Sequence, residues 1–377
     1  MWRDVRYFRY VDYSIFLVLA GLFVFSYLGI SGAKPGEGFA DRQVVWYLVG
    51  LIAMMLVLLV DYTWLAWLSP FLYGVGVALL VGVLLLSEAT RGAVAWYSLP
   101  GGVKFQPAEV MKICLILFLA HYFSQREAAG MPIERFYQLW PSFAILGLPL
   151  FLILLQPDLG TALVFFAIFF SMLLTAKVPW RHLLLLLLLG LLAVGLLVGL
   201  YFFQEEIFFQ IIDQYQWNRI TSFVNPAADP WGTGYQLSQS LIAVGSGQLT
   251  GKGLYEGTQG KYQWVPDSHT DFIFAVIAEE HGFVGASLLI ALFFFLFYRL
   301  VHIAVEAKDN FGVYVISGIV GMWIFHILEN IGMTIGLMPI TGIPLPFISY
   351  GGSSILANFI SLAIVLNIGM RRKKLMF

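Results

Sequence analysis

The side chains best able to do chemistry stand at the edges of long apolar runs. Gln106-Pro107-Ala108-Glu109 opens one run, with Lys112 three residues after the acid. That spacing puts Glu109 and Lys112 on one helix face, close enough to pair. Pro107 suits a first helical turn, where its missing N–H is not needed. Two readings stay open: a structural salt bridge, or a charged pair lining a polar cavity. A second run follows Asp267-Ser268-His269-Thr270-Asp271 and carries Glu279-Glu280 further in. Asp267 or Thr270 could cap the helix expected there, and an acid in its first turn suits the dipole. Asp271 is then either such a first-turn acid or a carboxylate able to take a proton. His269 is either a surface histidine or a neighbour in the same site. Glu279 lies about 12 Å beyond Asp271 at roughly 1.5 Å per residue; it and Glu280 are expected to be structural, satisfied by neighbouring helices. The single cysteine, Cys114, lies in an apolar run and reads as a small core residue, so no intrachain disulfide is possible.

These residues need elements to hold them, and the composition says which. Of 377 residues, 60% are hydrophobic and 11% charged, whereas a soluble domain carries about a quarter charged residues. The net charge of −1 gives no bulk attraction to nucleic acid. Apolar runs long enough to cross a hydrocarbon core predict spans at 13–32, 43–61, 64–87, 107–124, 138–156, 159–176, 183–203, 271–298, 311–335 and 345–369. They are too long and too uniformly apolar for alternating barrel strands. The first lacks a small-residue cleavage site after it, so it reads as a span and not a signal peptide. The expected fold is therefore all-α: one polytopic membrane domain over 1–377, with about ten transmembrane helices and a large loop at 204–270. Thirteen Lys and Arg fall on one set of termini and short loops, and seven on the other, Lys112 lying within a span. Such asymmetry predicts cytoplasmic termini and an outward-facing loop. That loop, rich in Gly, Gln, Asn, Trp and Tyr, is either a surface that binds something polar or a cap over the bundle.

Ionisable groups at membrane depth mark function by default. Between Asn330 and Met370 there are none, yet Pro339, Pro344 and Pro346 forbid one continuous helix. An uncharged broken segment there must dip into protein or a wet cavity. The Gly351-Gly352 pair would permit close helix contact or a positive φ.

At this point the sequence resembles the SEDS family (shape, elongation, division and sporulation). The resemblance rests on QPAEVMK at 106–112, QPDLGTALV at 156–164, NRITSFVNP at 218–226, GYQLSQSLIAVGSGQLTGKG at 234–253, VPDSHTDFIFAVIAEEHGFVG at 265–285 and GLMPITGIPLPFISYGGSS at 336–354. NIGM at 330–333 looks more like the elongation members than the division members. Two departures stand out. Ala108 replaces the family's usual serine, and Ala95 precedes Trp96 where a polar or basic residue is common. The second takes a polar contact from the 88–106 loop. The resemblance implies a peptidoglycan glycosyltransferase of the bacterial cell membrane, joining the disaccharides of lipid II by β-1,4 links. The donor sugar is α-linked and the product β, so the displacement inverts. Asp271 would then be the base that deprotonates the acceptor 4-hydroxyl. Lys112, Arg219, Arg42 and a divalent cation (magnesium or manganese) would neutralise the diphosphate, with Glu109 steadying Lys112 and His269 and Thr270 beside the sugars. No metal motif and no organic cofactor are evident. Polyprenyl tails would lie in lipid-facing grooves between helices. The resemblance also implies a one-span class B penicillin-binding protein as partner, whose docking surface is not legible here. The competing readings are a lipid II flippase, disfavoured by the absence of repeat symmetry, and a non-catalytic scaffold for cell-wall enzymes.

Overall fold

The computed structural model describes residues 10–87, 95–99 and 103–372. Arg3, Arg6, Arg9, Arg91, Lys373 and Lys374, used above for orientation, lie outside the described residues. The chain begins with α1 (Tyr13–Ala33), α2 (Phe39–Leu59) and α3 (Tyr62–Leu86). An antiparallel hairpin follows, β1 (Tyr97–Leu99) with β2 (Val103–Phe105), which the hydropathy pattern did not forecast. Next come α4 (Pro107–Ala128), α5 (Trp140–Leu154), α6 (Leu159–Thr175) and α7 (Trp180–Phe203). The long connection folds into four short helices: α8 (Glu205–Ile211), α9 (Gln214–Val224), α10 (Thr233–Ser246) and α11 (Thr258–Lys261). Last are α12 (Ile273–Val305), α13 (Asn310–Thr334) and α14 (Gly352–Met370). Among the described residues nine helices are long and apolar enough to cross a membrane, α5 counted with the 3-10 turn Phe136–Leu139 that leads into it, and α6 falls just short with 17 residues.

Helix starts follow from local chemistry. Asp12, Asp61, Asp158 and Asp309 each accept a hydrogen bond from a first-turn N–H, at 2.8–3.2 Å. A cap of this kind contributes about 1 kcal/mol. The helices pack chiefly as α2 on α14, α3 on α4, α6 on α13 and α1 on α12. The outer faces remain apolar, with Leu48, Ile52, Met55 and Leu59 of α2 exposed. Such a surface suits hydrocarbon and would aggregate in water. α7 goes furthest, burying only His182 and Leu183.

Two spans differ from expectation. α12 is broken at Gly282, whose φ of 64° and ψ of −163° suit only glycine. A Cβ there would stand 2.3 Å from the Gly251 nitrogen. The segment 248–253 inserts at the break and completes its hydrogen bonding. Phe283 and Val284 N–H donate to the Gln248 and Leu249 carbonyls, and Lys252 and Gly253 N–H donate to those of Glu279 and Glu280. Glu279 is fully buried and accepts from Lys252 Nζ at 2.5 Å and from Thr258 N–H and O–H at 2.9 Å. It is structural as expected, and these partners come from the long connection: Lys252 of the inserted segment and Thr258 at the start of α11. The residues from Ile273 to Glu280 are enclosed by protein, and the exposed apolar face starts at Phe283. The lipid-facing part of α12 therefore begins after the break, later than the forecast 271.

The last helix starts at Gly352 and not near 345. The prolines hold 339–351 out of any helix, and side chains from the bundle satisfy its buried carbonyls. Ser26 donates to Ile348 O at 2.7 Å, Gln43 to Ser349 O at 3.2 Å, and Tyr47 to Phe347 O. Gly352 allows close contact, not a positive φ: a Cβ there would lie 2.5 Å from the Trp46 ring.

Candidate active site

Several helix beginnings converge on one cleft. Its larger chamber, about 610 Å³, is lined by the N-terminal turns of α2, α4, α6 and α14 and by the turn before α12. A smaller chamber of about 370 Å³ adjoins it under α9 and α10. Trp96, Lys104, Asp158, Asp267, Asp271 and Gly342 line both. Converging helix N-termini give the larger chamber a positive field, because their N–H dipoles point inward.

Asp271 sits at the junction of the chambers, but not in a first helical turn. The N-cap of α12 is Phe272, and no side chain caps the helix. Neither Asp267 nor Thr270 therefore plays the capping role. Instead 267–272 is a separate turn. Asp267 holds it at a φ of 52°, and its carbonyl accepts from the N–H groups of Thr270, Asp271 and Phe272. This turn delivers the Asp271 carboxylate against the backbone of Gly342. A Cβ on Gly342 would stand 3.3 Å from Asp271 Oδ2 and 3.6 Å from Arg219 Nη2, so carboxylate and guanidinium flank the same carbon.

The structure brings the forecast residues into this cleft but divides the cations between its chambers. Glu109 and Lys112, both buried, pair at 2.9 Å in the larger one. Lys112 Nζ also lies 3.3 Å from His326 Nε2. An ammonium only donates, so this histidine nitrogen accepts. Arg42 stands at the rim over the Phe39 ring, 5.8 Å from its centroid. His269 packs between Phe39 and Tyr350 with ring centroids 4.6 and 5.8 Å away, half-buried and within the chamber. Thr270 lines the same chamber. Arg219 belongs to the smaller chamber. It donates to Thr341 O at 2.8 Å and to the Tyr215 hydroxyl at 2.5 Å, its guanidinium 4.5 Å over that ring.

Residues not forecast as part of the site also line it: Lys104, Asp158, Asp267, His326 and Trp96. Asp158 had a signal, since it stands inside QPDLGTALV. Its oxygens accept from the Thr161 N–H at 3.0 Å and hydroxyl at 2.8 Å, which aligns α6. Lys104 had none, because its place depends on the hairpin. Ser353 Oγ donates to the Lys104 carbonyl and accepts from the Gln106 N–H, both at 3.2 Å, pinning β2 to the start of α14.

Fold and cleft define a polytopic membrane protein organised around one polar, charge-lined cavity at one end of a helical bundle. The family described as "Cell cycle protein", comprising FtsW, RodA and SpoVE, matches residues 9–374. Stage V sporulation protein E of Bacillus subtilis is 38% identical over 88% of this chain and 86% of its own. Peptidoglycan glycosyltransferase MrdB of Escherichia coli K12 is 34% identical over 97% and 95%. Among solved structures, a chain described under "Structural coordination of polymerization and crosslinking by a peptidoglycan synthase complex" superposes with a TM-score of 0.80 at 31% identity, covering 96% of this chain and 98% of that one. The rod shape determining protein RodA of Thermus thermophilus gives 0.71 at 30%, covering 97% and 98%. This chain belongs to the FtsW/RodA/SpoVE family.

Proposed function

We propose that this protein polymerises peptidoglycan glycan strands from lipid II, in the elongation branch of the family to which its NIGM motif at 330–333 points. The observation that carries the reading is the place of Asp271, at the junction of a cation-rich chamber and a smaller one that holds Arg219. A glycosyl transfer between two lipid-linked sugars needs such a pair of sites with a base between them. Asp271 takes the proton of the acceptor 4-hydroxyl as that oxygen bonds to the anomeric carbon of the donor. The bond from that carbon to phosphate breaks, the α-linkage becomes β, and polyprenyl diphosphate leaves. A positioned base contributes about 10²–10⁴-fold. Diphosphate needs no general acid but does need cations. Lys112, Lys104 and Arg42 serve in the larger chamber, aided by the N-terminus of α14, and Arg219 serves in the smaller. Glu109 steadies Lys112, and His269 and Thr270 border the sugars.

Among the described residues no group of three or more His, Cys, Asp or Glu could hold a metal ion. Magnesium needs only one or two carboxylates beside phosphate and water, so magnesium or manganese would arrive with the diphosphate, which supplies most of its ligands. The apolar groove of about 310 Å³ between α1, α2 and α14 suits an acyl or polyprenyl chain. We further propose that the site faces outward, both termini being cytoplasmic, and that a class B penicillin-binding protein is the crosslinking partner. The related chain studied in a polymerising and crosslinking complex supports that pairing.

The test is a gel assay of purified protein with lipid II, with and without divalent cation and partner. Asp271→Asn should fold and bind lipid II but lose about 10²–10⁴-fold in polymerisation. Unchanged glycan synthesis by that variant would overturn the assignment. Movement of fluorescent lipid II across vesicles without polymer would favour the flippase.

A further inference from the structure

We infer that Asn330 of α13 is a positioning residue for Asp271, with Ser349 sharing the task. The inference rests on Asp271 as the base, and neither residue lines a chamber of the cleft. Both are buried behind the turn that carries it. Three consecutive carbonyls of that turn are each held from the α13–α14 side. Tyr350 N–H donates to His269 O at 2.9 Å, Ser349 Oγ to Thr270 O at 2.6 Å, and Asn330 Nδ2 to Asp271 O at 2.7 Å. Ser349 Oγ meanwhile accepts from the Leu345 N–H at 2.8 Å, which directs its own hydrogen at Thr270.

Asn330 does more than hold the base. The same Nδ2 donates to Ile343 O at 2.8 Å, and Ile343 directly follows the Gly342 against which the Asp271 carboxylate rests. One amide nitrogen thus ties the backbone of the base to the backbone of the wall it faces. Two carbonyl oxygens at one site require two hydrogens on one neutral atom, which a side-chain amide offers. Serine offers one hydrogen, and ionised aspartate none. The spacing between carboxylate and wall decides where a sugar hydroxyl can sit, and a misplacement of about 1 Å can cost about 10²-fold in rate.

Two variants of the full-length protein test this, with lipid II as the probe. Asn330→Asp keeps the shape and removes both donors; Ser349→Ala removes one hydroxyl and adds no charge. The expected result is a kcat lower by about 10–10²-fold for Asn330→Asp and by several-fold for Ser349→Ala, with KM for lipid II little changed; the thermal midpoint falls for Asn330→Asp, which buries a carboxylate against two carbonyls, and little for Ser349→Ala. In an Asp271→Asn background neither change should lower the residual rate further. Should Asn330→Asp not fold, Ser349→Ala carries the test alone. Folded variants with wild-type kcat, beside an inactive Asp271→Asn, would remove the positioning role and leave the base. An active Asp271→Asn would remove the base assignment itself. Equal losses in both backgrounds would mean that Asn330 and Ser349 act on folding alone.

Discussion

Lys112 holds a structural place that is compatible with the role proposed for it. Its ammonium is buried with Glu109 and faces His326 at the inner end of the larger chamber. Removing one member of a buried pair leaves the other charge uncompensated, at a cost of about 3–5 kcal/mol. Lys112→Met alone should therefore lower the thermal midpoint sharply. The double change Glu109→Gln with Lys112→Met should recover much of that stability, measured in the same detergent, yet not polymerise lipid II. Recovery of synthesis along with stability would reduce the pair to a structural salt bridge. The same reasoning separates Asp271 from Asp267. Both line the cleft, but Asp267 also sets the turn through its left-handed backbone, so substitution there perturbs geometry as well as charge.

At the scale of elements, the break in α12 connects the loop to the bundle. The inserted segment 248–253 satisfies backbone groups that a continuous helix would satisfy itself. It also brings Lys252 to Glu279. α10 leads directly into this segment and packs on α12, while Gln236 of α10 lines the smaller chamber. The long connection is thus both a cap and part of the site. Gly282→Ala should be costly, because its Cβ would meet backbone at 2.3 Å and its φ is unfavourable to other residues. A backbone conformation of this kind costs about 1–3 kcal/mol for a side-chain-bearing residue, and the clash adds to that. The expected outcome is a clear drop in thermal midpoint, with an exposed control such as Phe283→Leu staying near wild type.

For the whole molecule, the converging helix beginnings make one end of the bundle a binding surface. The opposite end carries Arg126, Arg181, Arg299, Lys308, Arg371 and Arg372. There Arg299 binds Asp12 at 2.8 Å through Nε, and Arg371 lies 3.4 Å from Asp61. If this end is cytoplasmic, as the charge asymmetry predicts, the cleft faces outward. The native Cys114 is buried, so labelling of introduced cysteines starts from a quiet background. Trp231→Cys, at a position 92% exposed beside the cleft end, should react with an impermeant maleimide added to intact cells. Lys308→Cys should react only after lysis, and the reverse pattern would invert the topology.

The helices were readable from sequence because hydrocarbon imposes a simple rule: about 20 apolar residues per span, with every backbone group satisfied inside the helix. Asp271, Glu109 and Lys112 were readable too, because a charge beside or within such a run is costly and stands out. What sequence could not yield was anything that depends on groups distant along the chain meeting in space. The break at Gly282 looks like one more glycine in a helical run until segment 248–253 fills it. Lys104 looks like one loop charge among others until Ser353 pins its strand. Asn330 looks like a polar residue near a helix end until two carbonyls, from Asp271 and from Ile343, are found on the same nitrogen. Partition into a membrane acts on each segment by itself and is written locally. Hydrogen bonds between distant segments depend on packing, and only the tertiary structure decides them.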